Sequence, residues 1–293
     1  MTATSSAPQP ARRAAVLGHP IAHSLSPTLH RAAYAALGVT HWRYDAVDVT
    51  EDQLEGFVAA LGPEWAGLSL TMPLKQTVLP LLDHIEPLAE VVGAVNTVLI
   101  QAGGGGRPIL TGANTDVHGL VAALREGLPS AEAPGATRTA AVLGAGATAA
   151  SALAALAQLG CTTPVVYVRS MGRIGSLMRS AHRMGVEPRY ALLTAAAAEI
   201  PRADLVVSTL PPRAADQIAA ELTAAGARAA GVLIDVAYDP RPTELSTAWA
   251  AAHGVMVQGE RMLLHQASEQ VRLMTGHPAP LAAMDAALTA RLV

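Results

Sequence analysis

The sequence predicts an α/β protein of two domains, the second of them a doubly wound parallel sheet. Three observations carry that prediction. The chain has 293 residues, more than one hydrophobic core ordinarily serves. Short apolar strand patterns alternate with alanine- and leucine-rich helical patterns for most of its length, the order of α/β folds. Between one such strand and the helix after it stands a tight turn, Gly144-Ala145-Gly146.

Taken in order, residues 1–11 are small and polar with two prolines, and a disordered tail is expected there. Strands are expected at 14–17, 42–47, 67–70 and 97–100, with helices at 27–37 and 50–61 between them. A hairpin-like glycine loop at 103–106 precedes a further strand at 109–111. The clearest unit follows: a buried strand at 139–143, the turn, a helix at 147–159 ended by Gly160, and a second buried strand at 164–168. Strands at 205–209, 231–236 and 255–257 complete a doubly wound domain spanning 116–257. A helix at 262–274 is expected to close back on the first domain, which then comprises 12–115 with 258–293 and leaves a cleft between the two.

Composition excludes several function classes. The chain is 51% hydrophobic and 15% charged, a well-packed rather than disordered profile. A net charge of −3, no long basic run and 3% aromatics argue against nucleic-acid binding. The single Cys161 rules out an internal disulfide or a thiolate-based zinc site and reads as a small buried side chain. Arg12 and Arg13 precede an apolar stretch that His19-Pro20 ends too soon for an export signal, and no membrane-length apolar run follows. A cytoplasmic protein is expected. His19 and His23 have helical spacing, but Pro20 interrupts the helix, so with His30 they are expected to line turns rather than bind a metal.

The segment from Gly144 to Ala149 matches G-x-G-x-x-A at a strand-to-helix turn. Glycines there let the chain turn tightly and let a pyrophosphate approach backbone N–H groups at the helix start, as in Rossmann-like folds. The plainer reading is close helix–sheet packing. The second strand ends in Val168-Arg169-Ser170-Met171-Gly172-Arg173 without an acid. A carboxylate there would bond a ribose 2′-hydroxyl and repel a 2′-phosphate, whereas two guanidinium groups clamp the phosphate, so NADP is expected over NAD. The alternative is two ordinary solvated charges. Ser208 and Thr209 end a later strand where the ligand crevice of such folds lies, or else cap the turn before Pro211-Pro212.

Four short segments concentrate hydroxyl and amide side chains beside one lysine and one aspartate. They are His23-Ser24-Leu25-Ser26-Pro27, Leu70-Thr71-Met72-Pro73-Leu74-Lys75, Gly93-Ala94-Val95-Asn96-Thr97 and Asn114-Thr115-Asp116. Singly each has a bland reading: a helix cap at Ser26-Pro27, a solvated lysine, a turn. As an ordered set, with Asp235 to Tyr238 and Gly259 to Gln266, they resemble the shikimate dehydrogenases and their quinate/shikimate relatives over nearly the whole chain.

That resemblance implies reduction of 3-dehydroshikimate to shikimate with NADPH, by a monomer or homodimer. It implies Lys75 and Asp116 as the catalytic pair, Asp116 orienting the lysine and accepting from a ring hydroxyl. It implies Ser24, Ser26 and Tyr238 at the substrate carboxylate, and Thr71, Asn96 and Gln266 at the ring hydroxyls and reacting oxygen. Gly144, Gly146, Ala147, Arg169, Ser170 and Arg173 would hold the cofactor, with Ser208 and Leu210 beside its ribose and ring and Gly259 at the carboxamide. An ammonium suits the task, since hydride addition leaves negative charge on the ketone oxygen. The sequence departs from the family pattern at Ser69 (asparagine is frequent), Leu74 (histidine is usual) and Val117-His118, where glycine is common and the interdomain hinge is put in question. Two rival readings are a dehydrogenase of quinate or an aminoshikimate-type compound, and a non-catalytic NADPH-binding regulator. Ser26 and Arg169-Ser170 favour shikimate and NADP, and a regulator needs neither Lys75 nor Asp116 as an acid.

Overall fold

A computed structural model describes residues 10–104, 107–129 and 138–292. Most of the expected tail (1–9) and Gly105-Gly106 of the expected loop lie outside the described residues.

The first sheet contains β1 (Arg12–Gly18), β2 (Trp42–Asp48), β3 (Trp65–Leu70), β4 (His84–Ile85), β5 (Thr97–Gln101) and β6 (Ile109–Ala113), in the order β2-β1-β3-β5-β6-β4. β1 runs parallel to β2 and β3, β5 runs antiparallel to β3 and β6, and β4 lies parallel to β6. Every residue of β3 is buried, as in a strand covered on both faces. The helix Ser26–Leu37 starts with proline in its first turn and stops at Gly38, whose φ of 70° suits a residue without Cβ. It packs on the C-terminal helix Leu281–Leu292. The helix expected at 50–61 is shorter, Leu54–Ala59. Thr50 spends its hydroxyl on Asp52 (2.5 Å) and its N–H on the Gln53 side chain (3.1 Å), and such local bonds hold a turn in place of a first helical turn.

The second sheet is wholly parallel: β7 (Ala140–Leu143), β8 (Val165–Val168), β9 (Arg189–Leu192), β10 (Leu205–Ser208), β11 (Val232–Asp235) and β12 (Val255–Gln258). Their order, β12-β11-β10-β7-β8-β9, is the doubly wound arrangement, with the strand order reversing between β7 and β10. Alternate residues feed two cores on opposite faces. Val142, Leu153 and Ile234 belong to one; Leu143, Tyr167 and Trp249 belong to the other. Cys161 is buried in the first, which raises its thiol pKa.

The chain divides into two compact units. One comprises the described residues of Met1–Ile85, Val95–Ala113 and Gln270–Val293; the other comprises Glu86–Ala94 and Asn114–Glu269. The limits differ from those read in the sequence, by only two residues where the second unit resumes at Asn114 rather than 116. The segment Glu86–Ala94 counts with the parallel sheet, because its Val92 and Ala94 join that core. The return to the first unit falls at Gln270 rather than 258, because Met262 joins the same core as Val92 and Ala94 while Met274 packs against Gly67. The expected C-terminal helix therefore serves both units.

Candidate active site

Within the second unit, Gly144 and Gly146 have different reasons to be glycine. Gly144 has φ +113°, and a Cβ there would lie 2.5 Å from the Thr209 hydroxyl oxygen. The fold itself requires that glycine. Gly146 has an ordinary φ of −84° and nothing within 4 Å of an added Cβ. Open space lies beside it at the start of the helix Ala147–Gln158, which has no side-chain cap, so its first N–H groups suit an anion. Beyond β8, Arg169, Ser170 and Arg173 are all exposed, and among the described residues neither arginine joins an ion pair. Ser208 is sealed inside the sheet and Leu210 is buried; the half-buried neighbour Thr209 donates its hydroxyl to Leu143 O at 2.9 Å. At Gly259 an added Cβ would collide with the Asp235 carbonyl and lie 2.8 Å from the Val236 carbonyl oxygen. Tyr238 is half-buried, which pushes its hydroxyl pKa up, and burial likewise raises the Asp235 carboxyl.

Asp116 opens the helix Asp116–Gly127 and is 3% exposed, in the first turn where the helix dipole favours a carboxylate. Asn114 caps that turn by accepting the Val117 N–H at 3.2 Å, and its Nδ2 donates to Ala94 O (2.9 Å) and Ser151 Oγ (3.1 Å). Thr115 donates to Gln266 Oε1 at 3.4 Å. Gly119 lets the helix Gly259–Thr275 approach: a Cβ there would stand 2.8 Å from both Gln266 Cβ and Met262 O. One helical turn or more farther on, Glu126 binds Arg261 through both oxygens (2.7 and 2.8 Å) and His265 at 2.6 Å. Val117 is core, so the sequence departure at Val117-His118 leaves the small residue two positions later, at Gly119.

In the first unit the expected residues occupy segments that backbone bonds hold together. The Ser26 N–H donates to Ser24 Oγ at 3.3 Å. Thr71 N–H reaches Leu17 O at 2.9 Å, and its methyl fills the space over Gly18. Lys75 rides on the short helix Leu74–Thr77, anchored by a fully buried Leu74, and its carbonyl accepts the Val95 N–H at 2.9 Å. Asn96 is buried; its carbonyl accepts from Leu70 N–H at 2.8 Å and its own N–H donates to Ala113 O at 3.2 Å.

The three histidines have separate surroundings: His19 Nδ1 meets Asp48 at 2.7 Å, His23 is exposed, and His30 is buried, stacked on Tyr44 at 3.9 Å. Among the described residues no group of three metal-ligating side chains forms, and no helix is long and apolar enough to cross a membrane.

Residues 16–98 match the shikimate dehydrogenase substrate binding domain, and residues 259–289 match the shikimate 5′-dehydrogenase C-terminal domain. A protein of Geobacter sp. (strain M21) named shikimate dehydrogenase (NADP(+)) is 37% identical over 286 residues, 94% of each chain. The chain belongs to the shikimate dehydrogenase family. Among solved structures, the shikimate dehydrogenase of Mycobacterium tuberculosis is 39% identical, with a TM-score of 0.81 over 96% of this chain and 99% of that one. A quinate dehydrogenase from Corynebacterium glutamicum, solved in complex with NAD, is 28% identical, with a TM-score of 0.80 over 96% of this chain and 100% of that one.

Against this family background, the two units partition the expected residues. Ser24, Ser26, Thr71, Lys75 and Asn96 lie in the first; Asp116, Tyr238, Gly259, Gln266 and the cofactor set lie in the second. Sequence reasoning missed Gln270, which is buried and bonds through its side chain to His30, Ser69, Thr97 and the Asn96 carbonyl. Its signal was present: Gln266 and Gln270, four apart on one helix, share a face.

Proposed function

We propose that the protein catalyses the reversible, NADPH-dependent reduction of 3-dehydroshikimate to shikimate, in the shikimate pathway of aromatic amino-acid biosynthesis. The observation that carries this is full-length likeness to an NADP(+)-dependent shikimate dehydrogenase together with Lys75, Asp116 and the glycine turn standing at the family's motif positions.

NADPH supplies the hydride. The reading assigns its pyrophosphate to the open space at Gly146, with Gly144 and Ala147 beside it, and its 2′-phosphate to Arg169, Ser170 and Arg173. Leu210, Ser208 and Gly259 are assigned to its ribose and nicotinamide end; Ser208 contributes through its backbone, since its hydroxyl is sealed. Ser24, Ser26 and Tyr238 hold the substrate carboxylate, and Thr71, Asn96 and Gln266 its oxygens. As the ketone oxygen gains negative charge, the Lys75 ammonium stabilises it and delivers a proton, and the Asp116 carboxylate accepts from a ring hydroxyl. The reading places the enzyme in the cytoplasm, as a monomer or homodimer that handles only small molecules.

A quinate dehydrogenase is the second reading, supported by the solved relative of that name. The lower identity of that relative, Ser26, and the absence of an acid at Arg169-Ser170 favour shikimate and NADP. The test is NADP⁺ reduction followed by absorbance, with shikimate and quinate, each repeated with NAD⁺. The highest kcat/KM is expected for shikimate with NADP⁺; a higher value for quinate with NAD⁺ gives the rival the case, and no turnover of any pair gives it to a binding-only protein.

A further inference from the structure

Behind Asn96 the first unit buries a connected set of polar side chains. Tyr44 donates to Ser69 Oγ at 2.6 Å, and Ser69 donates to Gln270 Oε1 at 2.8 Å. The same oxygen accepts from His30 Nε2 at 3.2 Å. The Gln270 Nε2 donates to the Asn96 carbonyl at 3.2 Å and to Thr97 Oγ1 at 3.0 Å, and Thr97 donates to Asn96 Oδ1 at 2.9 Å.

Donor and acceptor types fix the direction from Tyr44 through Ser69 to Gln270. A main-chain carbonyl can only accept, so the Gln270 atom facing Asn96 is the NH₂. Its Oε1 then accepts, so Ser69 and the His30 Nε2 must both carry their hydrogens toward it. With Ser69 committed, the Tyr44 hydroxyl donates to Ser69. At the other end Thr97 receives from Gln270 and passes its own hydrogen to Asn96 Oδ1. Gln270 is 1% exposed, and reversing its amide would leave buried donors and acceptors facing groups of their own kind. The set is therefore polarised toward Asn96.

We propose that Gln270 is a positioning residue for substrate recognition: through Thr97 it fixes the Asn96 amide with its oxygen inward, presenting the Asn96 N–H groups to a substrate oxygen. The proposal rests on the shikimate dehydrogenase reading above. It also accounts for Ser69, a departure from the family pattern, as the hydroxyl that both accepts from Tyr44 and donates to Gln270.

The test is a pair of double-mutant cycles read in kcat/KM for shikimate. Gln270→Met removes both ends of the amide at similar volume, and Thr97→Val removes only the relay hydroxyl. In the wild-type background each is expected to lower kcat/KM for shikimate about 10- to 100-fold, with KM for NADP⁺ unchanged and activity restored by Thr97→Ser. In an Asn96→Ala background the same substitutions are expected to cost less than about 2-fold, since the group they act through is gone. Should Gln270→Met fail to fold, Thr97→Val carries the same comparison. Equal losses in both backgrounds, or loss of NADP⁺ affinity in step with shikimate, overturn the positioning role while leaving the shikimate reading intact. Absence of shikimate turnover by the wild-type enzyme in that assay removes both.

Discussion

Gly144 and Gly146 lie two positions apart and respond to different pressures, which makes them separable by substitution. Gly144→Ala meets a positive φ and the Thr209 hydroxyl together, a strain of about 1–3 kcal/mol, so lower thermal stability and weaker NADPH binding are expected together. Gly146→Ala meets nothing within 4 Å; the melting temperature is expected to hold while the Kd for NADPH, measured by fluorescence titration, rises. A parallel loss of stability in both variants contradicts the assignment of Gly146 to a ligand. Arg169→Ala removes one guanidinium from the proposed phosphate site and is expected to lower the NADPH-to-NADH ratio of kcat/KM about 10- to 100-fold. Lys75→Ala is expected to lower kcat by more than about 100-fold with NADPH affinity nearly unchanged. Equal loss of cofactor affinity would make the lysine structural.

Pairs of elements, rather than single side chains, set where Asp116 and Gln266 stand. The helix that begins at Asp116 is held to the helix bearing Gln266 by a close crossing at Gly119 and by the Glu126–Arg261–His265 cluster. Gly119→Ala would press a methyl group against Gln266 and the Met262 carbonyl, costing about 1–3 kcal/mol in overpacking. Its expected kinetic signature is a raised KM for shikimate, measured beside urea unfolding; stability loss without a change in KM would detach Gln266 from the substrate. The hydrogen bond from Arg261, with smaller help from His265, holds the Glu126 carboxyl below its usual range. A carboxylate with a depressed folded-state pKa stabilises fully above its unfolded pKa of 4.5, and loses that contribution as the pH falls through the lower folded value. Because the pair is partly exposed, Glu126→Gln is expected to lower Tm by only about 2–4 °C at neutral pH. The gap to wild type should close as the pH falls below the carboxylate range.

Over the whole molecule, acid stability depends on a residue whose role the sequence did not disclose. Burial pushes the His30 imidazole down from 6.5 to about 3, against the hydrogen bond with Gln270. The unfolded chain takes up a proton below pH 6.5 that the folded chain refuses, so stability is complete above 6.5 and declines as the pH falls toward 3. His30→Phe keeps a ring over Tyr44, leaves Gln270 Oε1 its bond from Ser69, and is expected to flatten Tm against pH between about 6.5 and 4; an unchanged slope would mean another group sets it. The doubly wound sheet was legible beforehand because buried parallel strands read as short apolar runs and Gly144 punctuates the first turn. β9 was not, since an edge strand opening on an arginine and only partly buried carries little of that signal. The candidate residues were legible as chemistry: hydroxyls, amides, one lysine and one aspartate in four local segments, each short enough to be read along the chain. What only the tertiary structure decided was which groups share a hydrogen bond across long separations, such as Gln270 with Asn96, 174 residues apart. Such a partnership leaves no local pattern, because a glutamine is written the same way whether it faces water or closes a buried chain of donors.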